Sequence, residues 1–378
     1  MTLRRQHAPA GASQRPWTAD ETIVATCYYT CSLIPPQFLA RAGHTPRRLA
    51  SAVRSASSAG ASGATAGSSP PHAIIPHPST CPYVVTLLAT GERALDGRGG
   101  TNSDHSDCLV VAAGCDAMRR LGDALAARHH ERVFTLFVPR TSDPASARSL
   151  AGDLERLDQW LAARAPTGRA DAESGVGDER VAAAGDSELN TVEMRPPDTF
   201  SYPTPPRPGG AFVVAGPLSD DGLLRFIEEL GLHISGVESC SGPERGEALA
   251  DLGTEDIGLN EVATGILKAV SCPRSSAPAR REYLARRLEE SGAAAVIYAR
   301  LPFCDPSAYD TLGVERLAAQ RGLPYLEVEI GFPFETTGPL RVRIEAFLET
   351  LLLDAELSEL ADLDDMEDLE DLDHLVGA

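Results

Sequence analysis

The residues best placed to do chemistry in this 378-residue chain are its eight cysteines, and their positions follow a pattern. Cys115 follows the apolar run LVVAAG, Cys240 follows HISGVES, Cys272 follows GILKAVS, and Cys304 comes just after AAAVIYARL. Short apolar runs followed by helical patterns read as buried parallel strands. Ligands of open parallel sheets bind beyond the carboxyl ends of the strands, so these four thiols are expected on the crevice side. A helix N-terminus beside Cys115 and Cys304 would favour thiolate over thiol. Thiolates dispersed in this way are natural ligands for iron–sulfur clusters. Cys81 joins them in a Ser-Thr-Cys-Pro turn, and Cys31 stands just before a Pro-Pro helix start. For any one cysteine, core packing is the competing reading, because Cys is a common small buried residue. Four at equivalent positions are harder to assign to the core. Cys108 begins the strand that Cys115 ends, and Cys27 sits in an apolar run before two tyrosines; both read as core.

Other chemistries leave no trace. There is no CxxC pair and no Cys–His finger spacing, which argues against a zinc ribbon or finger. There is no GxGxxG after a strand, no P-loop and no GxSxG elbow. His129 and His130 end a helical pattern and read as surface residues.

The elements that must position the cysteines alternate. Strands are expected at 108–116, 132–140, 211–217, 232–240, 293–305 and 324–330. Helical spacing follows at 117–129, 143–164, 220–231 and 306–322, with a long helix beginning near Pro339. Strands separated by helices of this length indicate parallel sheets with covering helices. The expected fold class is α/β, with two doubly wound Rossmann- or flavodoxin-like lobes. The expected domains are an N-terminal lobe at 17–164, a flexible linker at 165–210, a C-terminal lobe at 211–353 and an acidic tail at 354–378. An Ala/Ser/Gly-rich insertion at 50–72 interrupts the first lobe. Insertion and linker carry too little apolar surface to offset the entropy of ordering.

The formal net charge is −20, and Lys268 is the single lysine among mostly arginine cations. Residues 351–378 hold eleven acidic residues and no Lys or Arg, so more than half of the net charge belongs to the tail. Its apolar residues recur every third position from Leu357 to Leu369, which leaves a partner-binding helix or a solvated extension open. An acidic chain argues against nucleic-acid binding. No apolar run reaches a membrane span, and the N-terminal stretch has no apolar leader core. The expectation is a cytoplasmic protein, where structural disulfides are rare.

Taken in order, several segments resemble the 2-hydroxyacyl-CoA dehydratase family, which includes benzoyl-CoA reductase-type subunits and double-cubane cluster reductases. They are YTCSLIPPQFLARAGHTPRRL at 29–49, STCPYVV, DCLVVAAGCDAMRRLGDAL, GPLSDDGLLRFIEELGLHISGVESCSG, AVIYARLPFCDPSAYD and GLPYLEVEIGFPFETTGPLRVRIEAFLETL. The likeness runs from about residue 22 to 352 outside the two insertions. It implies that Cys81, Cys115 and Cys304 hold a 4Fe–4S cluster between the lobes. A low-potential electron would come from a separate ATP-dependent iron–sulfur activator. It would pass to the thioester carbonyl of a 2-hydroxyacyl-CoA, and the resulting ketyl radical would expel hydroxide. A paralogous subunit or a second copy would complete the enzyme. Cys31, Cys240 and Cys272 match cysteines of the double-cubane relatives, which implies, alternatively, an 8Fe–9S cluster and a reductase of small molecules. Gln37 stands where the family commonly has Glu, Gly331 where it has Asp and Pro339 where it has Gln. Those departures motivate a third expectation, a non-catalytic partner subunit or docking protein. A zinc or thiol-redox protein using the same crevice is the remaining alternative.

Overall fold

The computed structural model describes residues 25–49, 77–96, 107–165, 209–240, 257–268, 272–275 and 277–354. The expected insertion at 50–72, nearly all of the linker at 165–210 and nearly all of the acidic tail lie outside the described residues.

The chain forms two four-stranded sheets, each wholly parallel. The first contains β1 (Thr26–Tyr29), β2 (Thr45–Arg48), β3 (Cys108–Ala113) and β4 (Val133–Phe137), in the order β2-β1-β3-β4. The second contains β5 (Ala211–Ala215), β6 (Ile234–Ser239), β7 (Ala295–Arg300) and β8 (Tyr325–Glu329), in the order β6-β5-β7-β8. Both orders are the flavodoxin-like arrangement, with the chain reversing direction across the sheet between the first and third strands. The expected α/β class and two doubly wound lobes are what the structure has.

Period-two side-chain alternation explains why the central strands read as unbroken apolar runs. In β3, Leu109 and Val111 face one core, while Cys108, Val110 and Ala112 face another. In β7, Ala295, Ile297 and Ala299 face the first core, while Val296 and Tyr298 face a third. Both faces are covered, so both must be apolar. The first core takes residues from both sheets, so the lobes share one hydrophobic interior.

Helices α1 (Pro36–Arg41), α2 (Pro82–Leu95), α3 (Asp116–His129) and α4 (Pro144–Ala162) belong to the first sheet. α4 starts where the sequence suggests: the Asp143 carboxylate accepts hydrogen bonds from the Ala145 and Ser146 amides, and Pro144 opens the helix. After β5 the chain forms α5 (Gly222–Glu229), α6 (Leu259–Lys268), α7 (Ala277–Ser291), α8 (Asp305–Gln320) and α9 (338–354), all but α6 belonging to the second sheet.

Three features were not legible in the sequence. β2 reads Thr-Pro-Arg-Arg, which is no strand by pattern; its Pro46 is tolerated because β2 is an edge strand. α7 is weakly amphipathic and rich in charge, so its period is hard to see. α6 follows the second lobe's β6 in sequence but packs on the first. Its Val262, Ala263 and Ile266 join Leu150, Leu154, Leu157 and Leu161 of α4. The chain therefore crosses back before completing the second sheet.

One glycine is required by close approach. A Cβ on Gly236 in β6 would stand 2.7 Å from Cε2 and 2.8 Å from Cδ2 of the buried Phe212 ring in β5. Gly236→Ala is expected to lower unfolding free energy by about 1–3 kcal/mol through overpacking. Denaturant titration measures it; an unchanged midpoint would show that the ring can move aside.

Candidate functional site

Three of the six cysteines singled out by position begin helices. Cys81 is the N-cap of α2, Cys115 of α3 and Cys304 of α8. Each helix N-terminus presents amides that lack intrahelical partners. Cys115 follows β3 and Cys304 follows β7, the third strands of their sheets. Both therefore lie at the switch point, where the crevice of a doubly wound sheet opens. Phe303 makes the turn into Cys304. Its φ is 56°, a left-handed conformation rare for a large side chain, and it remains 53% exposed. Strain of this kind collects where a neighbouring residue must be aimed.

The structure brings cysteines from the two lobes together. The Cys81 and Cys304 thiols lie close enough across the junction for each to shift the other's ionisation. Cys115 is near enough to Cys304 and Cys31 to feel both electrostatically. Cys81 is buried in the core shared by the lobes, and Cys115 and Cys304 pack against it. Among the described residues, no group of three or more His, Cys, Asp or Glu is gathered tightly enough for a single metal ion.

Electrostatics distinguish the three. Cys304 is pulled down to about 6, first because Cys81 donates to its sulfur, and then because the Ser307 hydroxyl and backbone amide assist; burial opposes this. Cys81, as donor and buried, is pushed well above the usual thiol range, although the Val84 and Tyr83 amides oppose the rise. Cys115 is raised to about 11 by burial, which outweighs the amides of Met118 and Ala117. At Cys115 desolvation is thus a larger effect than the helix N-terminus. A bound cation would reverse that balance, because a coordinating thiol loses its proton.

A second group gathers around Arg48. Cys31 follows β1 and Cys240 follows β6. Both act on the buried guanidinium of Arg48 and on the Tyr83 phenol. Arg48 donates to the Cys240 carbonyl at 3.4 Å, Ser32 donates to the same carbonyl at 2.9 Å, and Tyr83 donates to the Thr30 carbonyl at 2.5 Å. Arg48 and Tyr83 were not singled out from the sequence. The second of two adjacent arginines at the end of an unread edge strand gives no signal that it will be buried.

Cys272 departs from the expected pattern. The described part of the GILKAVS segment, 265–268, is the end of the amphipathic helix α6 rather than a strand. Two residues on, Arg274 reaches into the first lobe. Its guanidinium donates to the carbonyls of Gly114 at 3.0 Å, Val138 at 2.5 Å and Pro139 at 2.6 Å. These carbonyls lie at the carboxyl ends of β3 and β4, and Gly114 precedes Cys115. The Cys272 segment is thereby fastened beside the Cys115 turn. Cys27 and Cys108 stand opposite each other in the β1–β3 register, fully buried, and pack as core.

The fold class is thus a two-lobed parallel α/β protein with cysteines after the third strand of each sheet. Residues 210–351 match the family described as 2-hydroxyglutaryl-CoA dehydratase, D-component. The putative dehydratase subunit YjiM of Escherichia coli (strain K12) is 29% identical over 131 residues, which span 34% of this chain and 33% of that protein. The likeness to the 2-hydroxyacyl-CoA dehydratase family is thus carried by the second lobe, residues 210–351. The matched stretch spans about a third of the curated relative. Among the described residues, no helix is long and apolar enough to cross a membrane.

Proposed function

We propose that this chain is an iron–sulfur protein of the family, with Cys81, Cys115 and Cys304 holding a 4Fe–4S cluster at the lobe junction. The observation that carries the proposal is the pairing of Cys81 from one lobe with Cys304 from the other, with Cys115 beside them. The donor set fits the group: soft sulfur ligands, partly buried, each at the positive end of a helix. Such a cluster, when bound, supplies a low-potential electron donor and, at an iron without a protein thiolate, a Lewis acid. The chain itself contributes ligation from both lobes and a dry wall of core residues around Cys81.

The reaction we assign is dehydration of a 2-hydroxyacyl-CoA. The thioester carbonyl takes one electron, and the ketyl radical expels hydroxide from the neighbouring carbon. The electron is delivered by an ATP-dependent iron–sulfur activator, and the working unit contains a second subunit, paralogous or identical. The proposed compartment is the cytoplasm.

A second reading keeps the fold and the activator but enlarges the cluster. Cys31 and Cys240 gather around the buried Arg48 cation, with Cys272 held close to Cys115 through Arg274. Six thiolates would hold an 8Fe–9S double cubane, in a reductase of small molecules. The buried cation favours a site of larger negative charge. Anaerobic iron and sulfide quantification with electron paramagnetic resonance separates the readings. About four irons per chain are expected for the first and about eight for the second. Iron-free protein after anaerobic reconstitution would sink both.

A further inference from the structure

A chain of buried polar side chains runs away from Cys304 into the third core. Cys304 Sγ and Ser307 Oγ are 3.3 Å apart. The Ser307 side chain is also near enough to the Tyr298 phenol to ease its ionisation. Tyr298 donates to Asp310 Oδ2 at 3.0 Å, and Arg280 Nε donates to Asp310 Oδ1 at 2.7 Å. Ser307 and Tyr298 are fully buried, and Arg280 is 2% exposed. Water is thus excluded as an alternative partner. The residues come from three elements that share one face of the second sheet: Tyr298 from β7, Ser307 and Asp310 from α8, and Arg280 from α7.

The donor inventory constrains how this chain can be used. Asp310 accepts only, and its charge is held by Arg280. Tyr298 has one proton, already given to Asp310, so towards Ser307 it can only accept. Ser307 also has one proton. Beside a protonated Cys304, that proton goes to Tyr298 while Ser307 accepts from the thiol. Beside a ligating thiolate, which has no proton to give, the hydroxyl can turn and donate to sulfur. Asp310 and Arg280 fix the chain's far end, so Cys304 and Tyr298 share the Ser307 hydroxyl.

We propose that Ser307 is a positioning residue that donates a hydrogen bond to the cluster-bound Cys304 sulfur, and that Tyr298, anchored by Asp310 and Arg280, competes for the same hydroxyl. This rests on the ligand role assigned to Cys304 above. A hydrogen bond to a ligand sulfur draws electron density from it and favours the reduced, more negative cluster. Ser307 therefore raises the midpoint potential, and Tyr298 holds part of that effect back.

The test is a redox titration of reconstituted full-length protein, followed by electron paramagnetic resonance. Wild type, Ser307→Ala and Tyr298→Phe are compared at equal iron content. Ser307→Ala is expected to move the midpoint to more negative potential. Tyr298→Phe, which removes the competing acceptor, is expected to move it the opposite way. A looser pocket would shift both variants in the same direction, and that result overturns the inference, as does an unmoved midpoint in either variant. The two changes lie on different elements, and an unmoved midpoint in either one alone already overturns the inference. Wild-type protein that binds no iron would remove the ligand reading and this inference with it. Iron-loaded protein with unmoved potentials removes the inference alone.

Discussion

Cys304→Ser is expected to remove most of the bound iron and the associated paramagnetic signal, whereas Cys108→Ala retains both. The two cysteines make a controlled pair because the structure separates their environments. Cys304 is partly exposed, caps α8 and pairs with Cys81 of the other lobe. Cys108 is fully buried among apolar side chains, where it faces Cys27 in the adjacent strand. Serine replaces a soft, readily ionised sulfur by a hydroxyl with a far higher pKa, so the ligand is lost while the volume is nearly kept. Cys304 is also the one thiol of the three that is shifted towards thiolate, down to about 6, by the donated hydrogen bond from Cys81. Iron and sulfide analysis of anaerobically prepared variants is the measurement. Equal iron in Cys304→Ser and wild type would refute ligation by Cys304.

The second large effect is on stability. Arg280→Met is expected to cost about 3–5 kcal/mol of unfolding free energy, because it strips the counter-charge from a buried carboxylate. Asp310, against which the guanidinium lies, has only 9% of its side chain exposed. Glu238 of β6 is also buried, feels the same cation and accepts a hydrogen bond from Tyr283 at 2.7 Å. One cation thus serves two carboxylates, and its loss leaves both in a medium of low dielectric. For a domain stable by about 5–15 kcal/mol, that is a large fraction. Arg280→Lys keeps the charge but not the planar Nε donor, so a smaller loss is expected. Urea unfolding at neutral pH measures all three proteins. A loss below about 1 kcal/mol for Arg280→Met would mean that the carboxylates find other partners. Because Asp310 also anchors Tyr298, this variant is expected to loosen the hydrogen-bond chain that ends at Cys304.

Much of the site was legible because its cysteines sit at places that sequence patterns reveal. Cys115 and Cys304 are readable because a parallel central strand is apolar on both faces and stops where the chain must turn. The α/β class follows from the same runs and their covering helices. Cys81 was legible only as a turn, since its partner lies 223 positions further on, and nothing local announces the pairing. Cys272 was placed wrongly after a strand because a short apolar segment does not distinguish a strand from a buried helix end. Strand β1 and the edge strand β2 escaped notice because they are short, and β2 contains proline.

By itself, the sequence determined the alternation of strands and helices, the two-lobed parallel design, the concentration of negative charge at the end of the chain and the candidate thiols. These depend on local period and composition, which a single chain displays directly. Only the tertiary structure decided which thiols meet, that burial overrides the helix N-terminus at Cys115, that α6 packs on the first lobe, and that Arg48, Arg274 and Arg280 are buried. Those outcomes depend on desolvation and on contacts between residues distant in sequence. An arginine reads the same whether it will face solvent or a carbonyl a hundred residues away.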